Sequence, residues 1–311
     1  MTRTVRAKAP AKVNLQLTVG PRRADGYHPL VTVFQALDLW EVVEATPRTD
    51  GRITLAVDVA AGSPIDASRV PLDETNLAWK AADLLARTFG IADGVDLRIV
   101  KGVPVAGGMA GGSADAAAAL VACAEAWDTG ATRGELTALA ARLGADVPFS
   151  LHGHTAVGMG RGDELTPAMS HGEFHWVLAT QRAGLSTPDV FAEYDRRIES
   201  GEQAVSDLDI DGPIMRALMA GDAVALGESL LNDLEGPALA LMPRLEEVLD
   251  AAEAAEACGA IVSGSGPTVA ALARSRQHAL AIAAHLKASK TCDAVVTASG
   301  PATGTLLLDS Q

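Results

Sequence analysis

The chain has 311 residues, and its 25 Lys and Arg against 39 Asp and Glu give a formal net charge of −14. Hydrophobic residues make up 48% and charged residues 21%, which is typical of a globular chain and excludes an intrinsically disordered one. The length allows two modest domains. The acidic balance argues against a non-specific nucleic-acid binder, although it leaves room for one local basic pocket.

Three cysteines, Cys123, Cys258 and Cys292, lie far apart and form no C-x-x-C spacing. This pattern favours neither a disulfide framework nor a zinc site. The N-terminus lacks the apolar segment of a signal peptide, and acidic residues interrupt the most apolar stretch, residues 114–127. We therefore expect a soluble, cytoplasmic protein that binds neither nucleic acid nor membranes.

The first half of the chain begins with strand patterns and continues with helices. Apolar and polar residues alternate between positions 13 and 19, which predicts a half-buried strand over 5–19 with Asn14 on its polar face. Further strands are predicted over 31–44, 52–59 and 96–101. Helices are predicted from Thr75, over 113–127 with Ser113 as N-cap, and over 132–143 behind a capping-box pattern.

The glycine-rich stretch 152–167 predicts a crossing between two domains, which we place at 1–155 and 156–311. Beyond it, strand and helix patterns alternate, with an acidic loop over 199–213. Strands are predicted over 155–157, 176–179, 260–263, 268–273 and 294–297. Helices are predicted over 213–226, 243–257 and 275–288.

The most informative segment is the run 104–115, which has four glycines in six residues directly before a predicted helix. Glycine lets the backbone approach a ligand closely, and a helix N-terminus offers free N–H groups and a positive dipole end to an anion. This arrangement predicts a phosphate cradle. A flexible linker is the alternative, but linkers do not usually connect a strand to a capped helix. Neither a Walker A motif nor a G-x-G-x-x-G motif occurs in the chain.

Three weaker signals pair polar residues with small or apolar neighbours. They are Lys12 and Asn14 in the segment 10–15, Asp146 in the segment 144–149, and the Gly and Ser turn 263–268. Each of these, taken alone, is more often a surface residue or an ordinary turn than part of a catalytic site.

Taken together, the segments 10–17, 104–116 and 263–272 resemble, in order and spacing, the three motifs of the GHMP kinase superfamily. Within it, the segment 23–30 with the Gly-Tyr-His sequence, followed by 32–34, resembles the 4-diphosphocytidyl-2-C-methyl-D-erythritol kinases. The segments 75–78, 146–149 and 187–191 are similar to that family as well. Ala106, Ala110 and Ala114 stand where relatives often have Gly or Ser, so Ser113 is the expected side-chain contact.

The resemblance implies an α+β fold of two domains, an N-terminal ribosomal-S5-like domain and a C-terminal ferredoxin-like domain, with the active site in the cleft between them. It implies ATP-dependent phosphorylation of the 2-hydroxyl of 4-diphosphocytidyl-2-C-methyl-D-erythritol, giving the 2-phosphate and ADP, in non-mevalonate isoprenoid biosynthesis. ATP and Mg²⁺ are the implied cofactors, and the sequence assigns no metal ligands.

Site residues follow from the same resemblance. Lys12 and Asp146 are expected to be catalytic: Asp146 would receive the hydroxyl proton late in the transfer, because a carboxylate of pKa about 4 cannot remove it in advance, and Lys12 would stabilise the developing charge. The expected ATP-binding residues are Asn76, Leu77, Pro104, Val105, Ala106, Gly107, Gly108, Met109, Ala110, Gly111, Gly112, Ser113 and Ala114. The expected substrate-binding residues are Asn14, Tyr27, His28, Thr187 and Phe191.

Within these sets, Tyr27 and Phe191 would enclose the cytosine ring and His28 would read the base edge by hydrogen bonding. A side chain at Gly111 would intrude on the nucleotide. Two alternatives remain: another GHMP kinase, of the homoserine or mevalonate type, or a nucleotide-sensing relative that has lost catalysis. Lys12 and Asp146 favour an enzyme over the sensor, and the Gly-Tyr-His segment favours the cytidyl substrate.

Overall fold

A computed structural model describes residues 3–24, 26–60, 65–105 and 107–309. The strands are β1 (Val5–Val19), β2 (Leu30–Arg48), β3 (Ile53–Val59), β4 (Gly94–Lys101), β5 (Thr155–Met159), β6 (Glu164–Pro167), β7 (Phe174–Thr180), β8 (Leu231–Asn232), β9 (Gly259–Val262), β10 (Val269–Ala273), β11 (Ala294–Gly300) and β12 (Leu306–Leu308). The helices are α1 (Leu77–Phe89), α2 (Gly111–Ala126), α3 (Arg133–Leu143), α4 (Val147–His152), α5 (Thr187–Glu199), α6 (Gly212–Ala220), α7 (Ala223–Glu228), α8 (Glu235–Leu241), α9 (Arg244–Ala254) and α10 (Arg276–Ser289).

The larger sheet has the order β12-β1-β2-β4-β3, with β5 and β6 attached to β2 and β8 attached to β1. Helices α1 and α2 pack on one face of this sheet. Buried apolar residues of these helices and of β1, β2 and β4, many of them alanine, form the core between them. The strand β1 is buried on both faces, and Asn14 is only 3% exposed. The expectation of a half-buried strand is therefore wrong, because its polar side chains are also engaged within the protein: Asn14 bonds with Lys12 and Thr32, and Gln16 bonds with the backbone of Asp209 and Asp211.

The smaller sheet is antiparallel, in the order β11-β7-β10-β9, and α5, α9 and α10 pack against it. The larger sheet also contains β5, β6, β8 and β12, which come from residues 155–308. The division at 155 and 156 remains a prediction along the sequence, while strands from both sides of it pair in one sheet.

Most sequence-predicted elements are present within a few residues of their expected bounds. The helix expected over 213–226 is instead two helices, α6 and α7, because Gly221 ends the first in the left-handed region (φ 67) and Asp222 caps the second. The sequence patterns do not predict α4, α5 and α8. Among the described residues, no helix is long and apolar enough to cross a membrane.

The helix α2 begins two residues earlier than predicted. Its N-cap is Ala110, with φ 58 and no side-chain cap, so the assignment of Ser113 as N-cap is wrong. Gly111 and Gly112 are the first two residues of the helix. The N–H groups of Gly111, Gly112 and Ser113 therefore have no acceptors inside the helix. These residues directly follow the glycine loop, which we define as residues 102–110. The capping box of Thr132 and Glu135 on α3 is present as predicted.

Candidate active site

A cavity of about 950 Å³ lies where β1, the glycine loop, the α3–α4 connection and α5 meet. We refer to it as the main cavity. It brings together residues that are far apart in the sequence. The predicted site residues on its wall are Lys12, Asn14, Tyr27, His28, Gly107, Gly108, Ala110, Gly111, Gly112, Ser113, Asp146, Thr187 and Phe191.

Lys12 projects from β1 into this cavity and is held by a short chain of hydrogen bonds. Its Nζ donates to Asn14 Oδ1 at 2.6 Å, and Asn14 Nδ2 donates to Thr32 Oγ1 at 2.8 Å. Burial lowers the pKa of Lys12, and the nearby Asp146 carboxylate opposes that effect. Asn14 therefore fixes the position of the ammonium group rather than facing solvent.

Asp146 lies at the N-cap position of α4, the helix that Pro148 helps to start. Its side chain does not cap the helix. Instead, Asp146 Oδ2 lies 4.0 Å from Lys12 Nζ, and about a third of the side chain is exposed. A carboxylate and an ammonium group thus face the same space without a tight ion pair, which leaves both open to a ligand placed between them.

The turn 263–268 closes the opposite side of the site. Gly108 and Gly264 both have positive φ, +72 and +59, and a Cβ added to Gly108 would lie 2.2 Å from the Ser263 carbonyl oxygen. Ser263 Oγ donates to the Gly108 carbonyl at 3.2 Å. The turn of the third motif therefore packs directly against the glycine loop. The backbones approach so closely at Gly108 that only glycine fits there.

A second cavity of about 250 Å³ adjoins the main cavity and shares Gly111 and Gly112 with it. Asn76, Leu77 and Val105 also line it. The Asn76 amide has both polar groups engaged within the protein: Oδ1 accepts from the Ala78 N–H and Nδ2 donates to the Pro71 carbonyl. Asn76 therefore contributes to this wall as the N-cap of α1.

Four expected nucleotide contacts are set apart from the others. Met109 and Ala114 are buried in the apolar core, so only their backbone can meet a ligand. Pro104 lies in the glycine loop but lines neither cavity. Ala106 lies outside the described residues. Sequence reasoning also missed wall residues of the main cavity, and these include Arg22, Thr32, Arg142, Arg161, Asp195 and Ser265.

A buried charged cluster of Glu41, Lys101 and Asp115 lies beneath the start of α2. Lys101 Nζ is 2.6 Å from Glu41 Oε1 and 2.6 Å from Asp115 Oδ2. Asp115 Oδ1 has no hydrogen-bond partner in the described part of the chain. Burial and the neighbouring Asp115 raise the pKa of Glu41 to about 8, and burial also raises the pKa of Asp115. Burial opposes the charge on Lys101, but the two carboxylates raise its pKa overall.

This cluster predicts a pH dependence of stability. The folded state holds a proton on Glu41 that the unfolded state releases near the ordinary glutamate pKa of 4.5, so the unfolding free energy should fall as the pH rises from there to about 8. The slope has an upper limit of about 1.4 kcal/mol per pH unit for one proton. Asp115→Asn removes a negative charge that helps to raise the pKa of Glu41, so that slope should flatten.

Chemical unfolding of both proteins at about pH 6 and about pH 9 measures the difference. The control is Asp93→Asn, which removes an exposed loop carboxylate outside both cavities. Equal slopes for the wild type and Asp115→Asn would contradict the role of Asp115 in raising the pKa of Glu41.

Two family models match the chain, that of the GHMP kinases N terminal domain over residues 76–154 and that of the GHMP kinases C terminal over residues 214–291. A 4-diphosphocytidyl-2-C-methyl-D-erythritol kinase from Thermobifida fusca is 53% identical over 289 residues, which cover 92% of each protein. The corresponding kinase from Streptomyces coelicolor is 50% identical, over 98% of this chain and 100% of the relative. The chain belongs to the 4-diphosphocytidyl-2-C-methyl-D-erythritol kinase family of the GHMP kinases.

Solved structures agree with this membership. The crystal structure of a 4-(cytidine 5'-diphospho)-2C-methyl-D-erythritol kinase matches with a TM-score of 0.74 and 31% identity, over 94% of this chain and 98% of that one. A Leishmania major mevalonate kinase, in complex with R-mevalonate, matches with a TM-score of 0.77 but only 15% identity, over 98% and 100% of the two chains, so it shows the fold alone. The expected two-domain α+β fold of the GHMP kinases is confirmed.

Family membership makes this chain a kinase, and its three motifs meet around the main cavity as such an enzyme requires. The glycine loop and α2 supply backbone donors, the first motif supplies Lys12, and the third motif supports the loop through Ser263. Residues 26–28, the Gly-Tyr-His segment, lie on the same wall.

Proposed function

We propose that the protein transfers the γ-phosphoryl group of ATP to the 2-hydroxyl of 4-diphosphocytidyl-2-C-methyl-D-erythritol, giving the 2-phosphate and ADP. The observation that carries this proposal is the pairing of Lys12 and Asp146 at 4.0 Å across a cavity whose wall includes the N-terminus of α2. In phosphoryl transfer the protein has little covalent chemistry to perform, and catalysis depends on positioning and on charge stabilisation.

In this mechanism, Asp146 orients the acceptor hydroxyl and receives its proton as the new P–O bond forms. The transfer is late, because an unactivated alcohol is a far weaker acid than a carboxylic acid. Lys12 stabilises the negative charge that develops between the alkoxide and the phosphoryl oxygens. Its ammonium is held rigidly by Asn14, so little reorganisation accompanies the step.

The nucleotide fits the side of the site formed by the glycine loop. The free N–H groups of Gly111, Gly112 and Ser113 suit phosphate oxygens at the N-terminus of a 16-residue helix. The second cavity adjoins the main cavity at Gly111 and Gly112. Its apolar wall residues, Leu77 and Val105, suit a nucleobase. We therefore assign the adenine ring to the second cavity.

Mg²⁺ is expected together with ATP in a kinase. Among the described residues, no group of three or more His, Cys, Asp or Glu could hold a metal ion. This fits a Mg²⁺ that is bound mainly through phosphate oxygens, with one or two oxygens from the protein. Ser113, on the wall of the main cavity, is the residue that we assign to it. When bound, the ion neutralises charge on the phosphates.

The substrate end of the main cavity suits an anionic ligand that carries a base. Three arginines, Arg22, Arg142 and Arg161, line the main cavity in a chain of net charge −14, and Arg161 also pairs with Asp163 at 3.0 Å. The Arg161 guanidinium lies 5.7 Å from the centroid of the Tyr27 ring. Such a local excess of guanidinium groups favours a diphosphate. The proposed substrate has both parts, a diphosphate and a cytosine ring.

An assay of ADP release over a panel of alcohols tests the function. The panel contains the cytidyl substrate, its unmodified sugar alcohol, homoserine and mevalonate. Turnover of the cytidyl substrate alone would support the proposal, whereas turnover of homoserine or mevalonate would favour another GHMP kinase. ATP binding without any turnover would indicate a nucleotide sensor. A cytoplasmic location is part of the same proposal.

Tyr27 provides a second test, because it is 57% exposed and lies on the wall of the main cavity. Stacking on a base contributes about 1–3 kcal/mol. Tyr27→Ala should therefore raise KM for the cytidyl substrate roughly ten- to a hundredfold and leave KM for ATP nearly unchanged. Steady-state kinetics with each substrate varied in turn measures this. Equal weakening of both would contradict a stacking role.

A further inference from the structure

Thr32 lies at the far end of the hydrogen-bond chain that holds Lys12, on β2 and on the wall of the main cavity. Its side chain is buried, and its Oγ1 makes two hydrogen bonds. Thr32 Oγ1 donates to the Gln16 carbonyl oxygen at 2.6 Å and accepts from Asn14 Nδ2 at 2.8 Å. The pairing of β1 with β2 shifts in register between Asn14 and Gln16, an irregularity of the kind that re-aims side chains. The hydroxyl group thus links the backbone of β1 to the amide beside Lys12.

The direction of each hydrogen bond in this chain follows from the Gln16 carbonyl oxygen, which can only accept. The hydroxyl hydrogen of Thr32 points at that carbonyl, so the hydroxyl oxygen can only accept from Asn14. The NH₂ of the Asn14 amide therefore faces Thr32, and its Oδ1 faces Lys12 Nζ at 2.6 Å. Without the hydroxyl group, this buried NH₂ would lose its acceptor, and nothing would hold the amide oxygen toward the ammonium group.

Lys12 depends on this acceptor, because little else near it favours a charged amine. Asp146 Oδ2 is 4.0 Å away, and burial lowers the pKa of Lys12. Among the described residues, Asn14 Oδ1 accepts the one hydrogen bond that Lys12 Nζ donates. No charged side chain comes from the other segments around the amine, which are residues 32–36 of β2, the glycine loop, residues 111–113 at the start of α2, and the turn 263–266.

We infer that Thr32 is a positioning residue for phosphoryl transfer: its hydroxyl group orients the Asn14 amide so that the ammonium group of Lys12 keeps its acceptor and its place. Thr32 acts through two other side chains and does not need to touch the phosphoryl group. The inference rests on the proposed function, because it takes Lys12 to stabilise the charge that develops during the transfer. A preorganised charge loses part of its catalytic effect when the groups that hold it are removed.

The main test is Thr32→Val, which removes the hydroxyl group and keeps the branched shape. We expect kcat to fall by roughly tenfold, the scale of one lost buried hydrogen bond, and KM for ATP to stay close to the wild-type value. The pKa of Lys12 should fall, because the charged form loses its acceptor, so the alkaline limb of the kcat profile should move to lower pH. Competitive acetylation of Lys12 with acetic anhydride over a pH series, analysed by mass spectrometry, follows the same change without turnover.

Two controls separate positioning from packing. Thr32→Ser keeps the hydroxyl group and loses only the methyl group, so it should retain the wild-type kcat and pH profile. Thr155→Val makes the same change as Thr32→Val on the neighbouring strand β5, outside both cavities. Thr155 is buried, and its Oγ1 has no hydrogen-bond partner within the part of the chain that the structure describes. This second control should also leave kcat and the pH profile unchanged.

A folded Thr32→Val protein with the wild-type kcat, or with an unchanged titration of Lys12, would overturn the inference. Equal losses in Thr32→Val and Thr32→Ser would overturn it as well, because they would assign the effect to packing. If Thr32→Val does not fold, Thr32→Ala is compared with Thr32→Ser, from which it differs by one oxygen atom. Failure of the proposed function looks different: the wild type would not phosphorylate the cytidyl substrate, and the acetylation of Lys12 would still show whether Thr32 supports its charge.

Discussion

Asp146→Asn is expected to lower kcat by roughly 10²–10⁴, with KM values for both substrates close to those of the wild type. The amide keeps the size of the side chain and removes the proton acceptor. Because the side chain does not cap α4 and is a third exposed, the substitution should leave the fold unchanged. Single-turnover measurements and thermal unfolding of the same preparation separate the chemical step from stability.

Lys12→Met should also lower kcat, and the double variant should lose less than the product of the two single losses. Both residues act on one transition state, and effects of residues that act as a unit are not additive. The Asp146 carboxylate also counteracts the lowering of the Lys12 pKa by burial, so its removal should lower the pKa of Lys12 further. A control, Asp250→Asn on the exposed side of α9, should keep kcat unchanged. Near wild-type kcat in either single variant would remove that residue from the mechanism.

The parts of the site that sequence could predict are those built from short local patterns. Glycines before a helix predict an anion-binding turn whatever the tertiary fold, and that turn lies on the wall of the main cavity. The sequence pattern places the start of α2 two residues late, because glycine is a poor helix former and Ser113 is a good N-cap. Local preference favours Ser113, but packing of the loop against the turn 263–266 sets the helix start at Gly111.

The remainder of the site depends on contacts between distant segments. Glu41 precedes Lys101 by 60 residues, and only the pairing of β2 with β4 brings them together. Asp195 meets His28 only because α5 packs over the end of β1. No local signal marks these residues, since an isolated acidic side chain in a helix or strand is most often solvated. Their assignment requires the three-dimensional arrangement.

Nucleotide binding is expected to be lost when a side chain fills the phosphate cradle, and the structure selects Gly112 as the position. A Cβ on Gly111 would point at the buried cluster, 3.1 Å from Glu41 Oε1 and 3.6 Å from Lys101 Nζ. The expectation that a side chain at Gly111 would intrude on the nucleotide stays a prediction, and a substitution there would disturb the buried charged cluster as well. Among the described residues, a Cβ on Gly112 meets only Leu77 Cδ1, at 3.7 Å, and Gly112 lines both cavities.

Gly112→Val should consequently weaken ATP binding by on the order of 100-fold or more, which corresponds to at least about 2.7 kcal/mol. The branched side chain would crowd the N–H groups that we propose bind the phosphates. Gly134→Val is a close control, because Gly134 is the second residue of α3 as Gly112 is of α2, and a Cβ there meets nothing within 4 Å. Calorimetry with ATP, alongside thermal unfolding, compares the two variants. If Gly112→Val folds and binds ATP as tightly as Gly134→Val, the glycine loop and the start of α2 do not hold the phosphates.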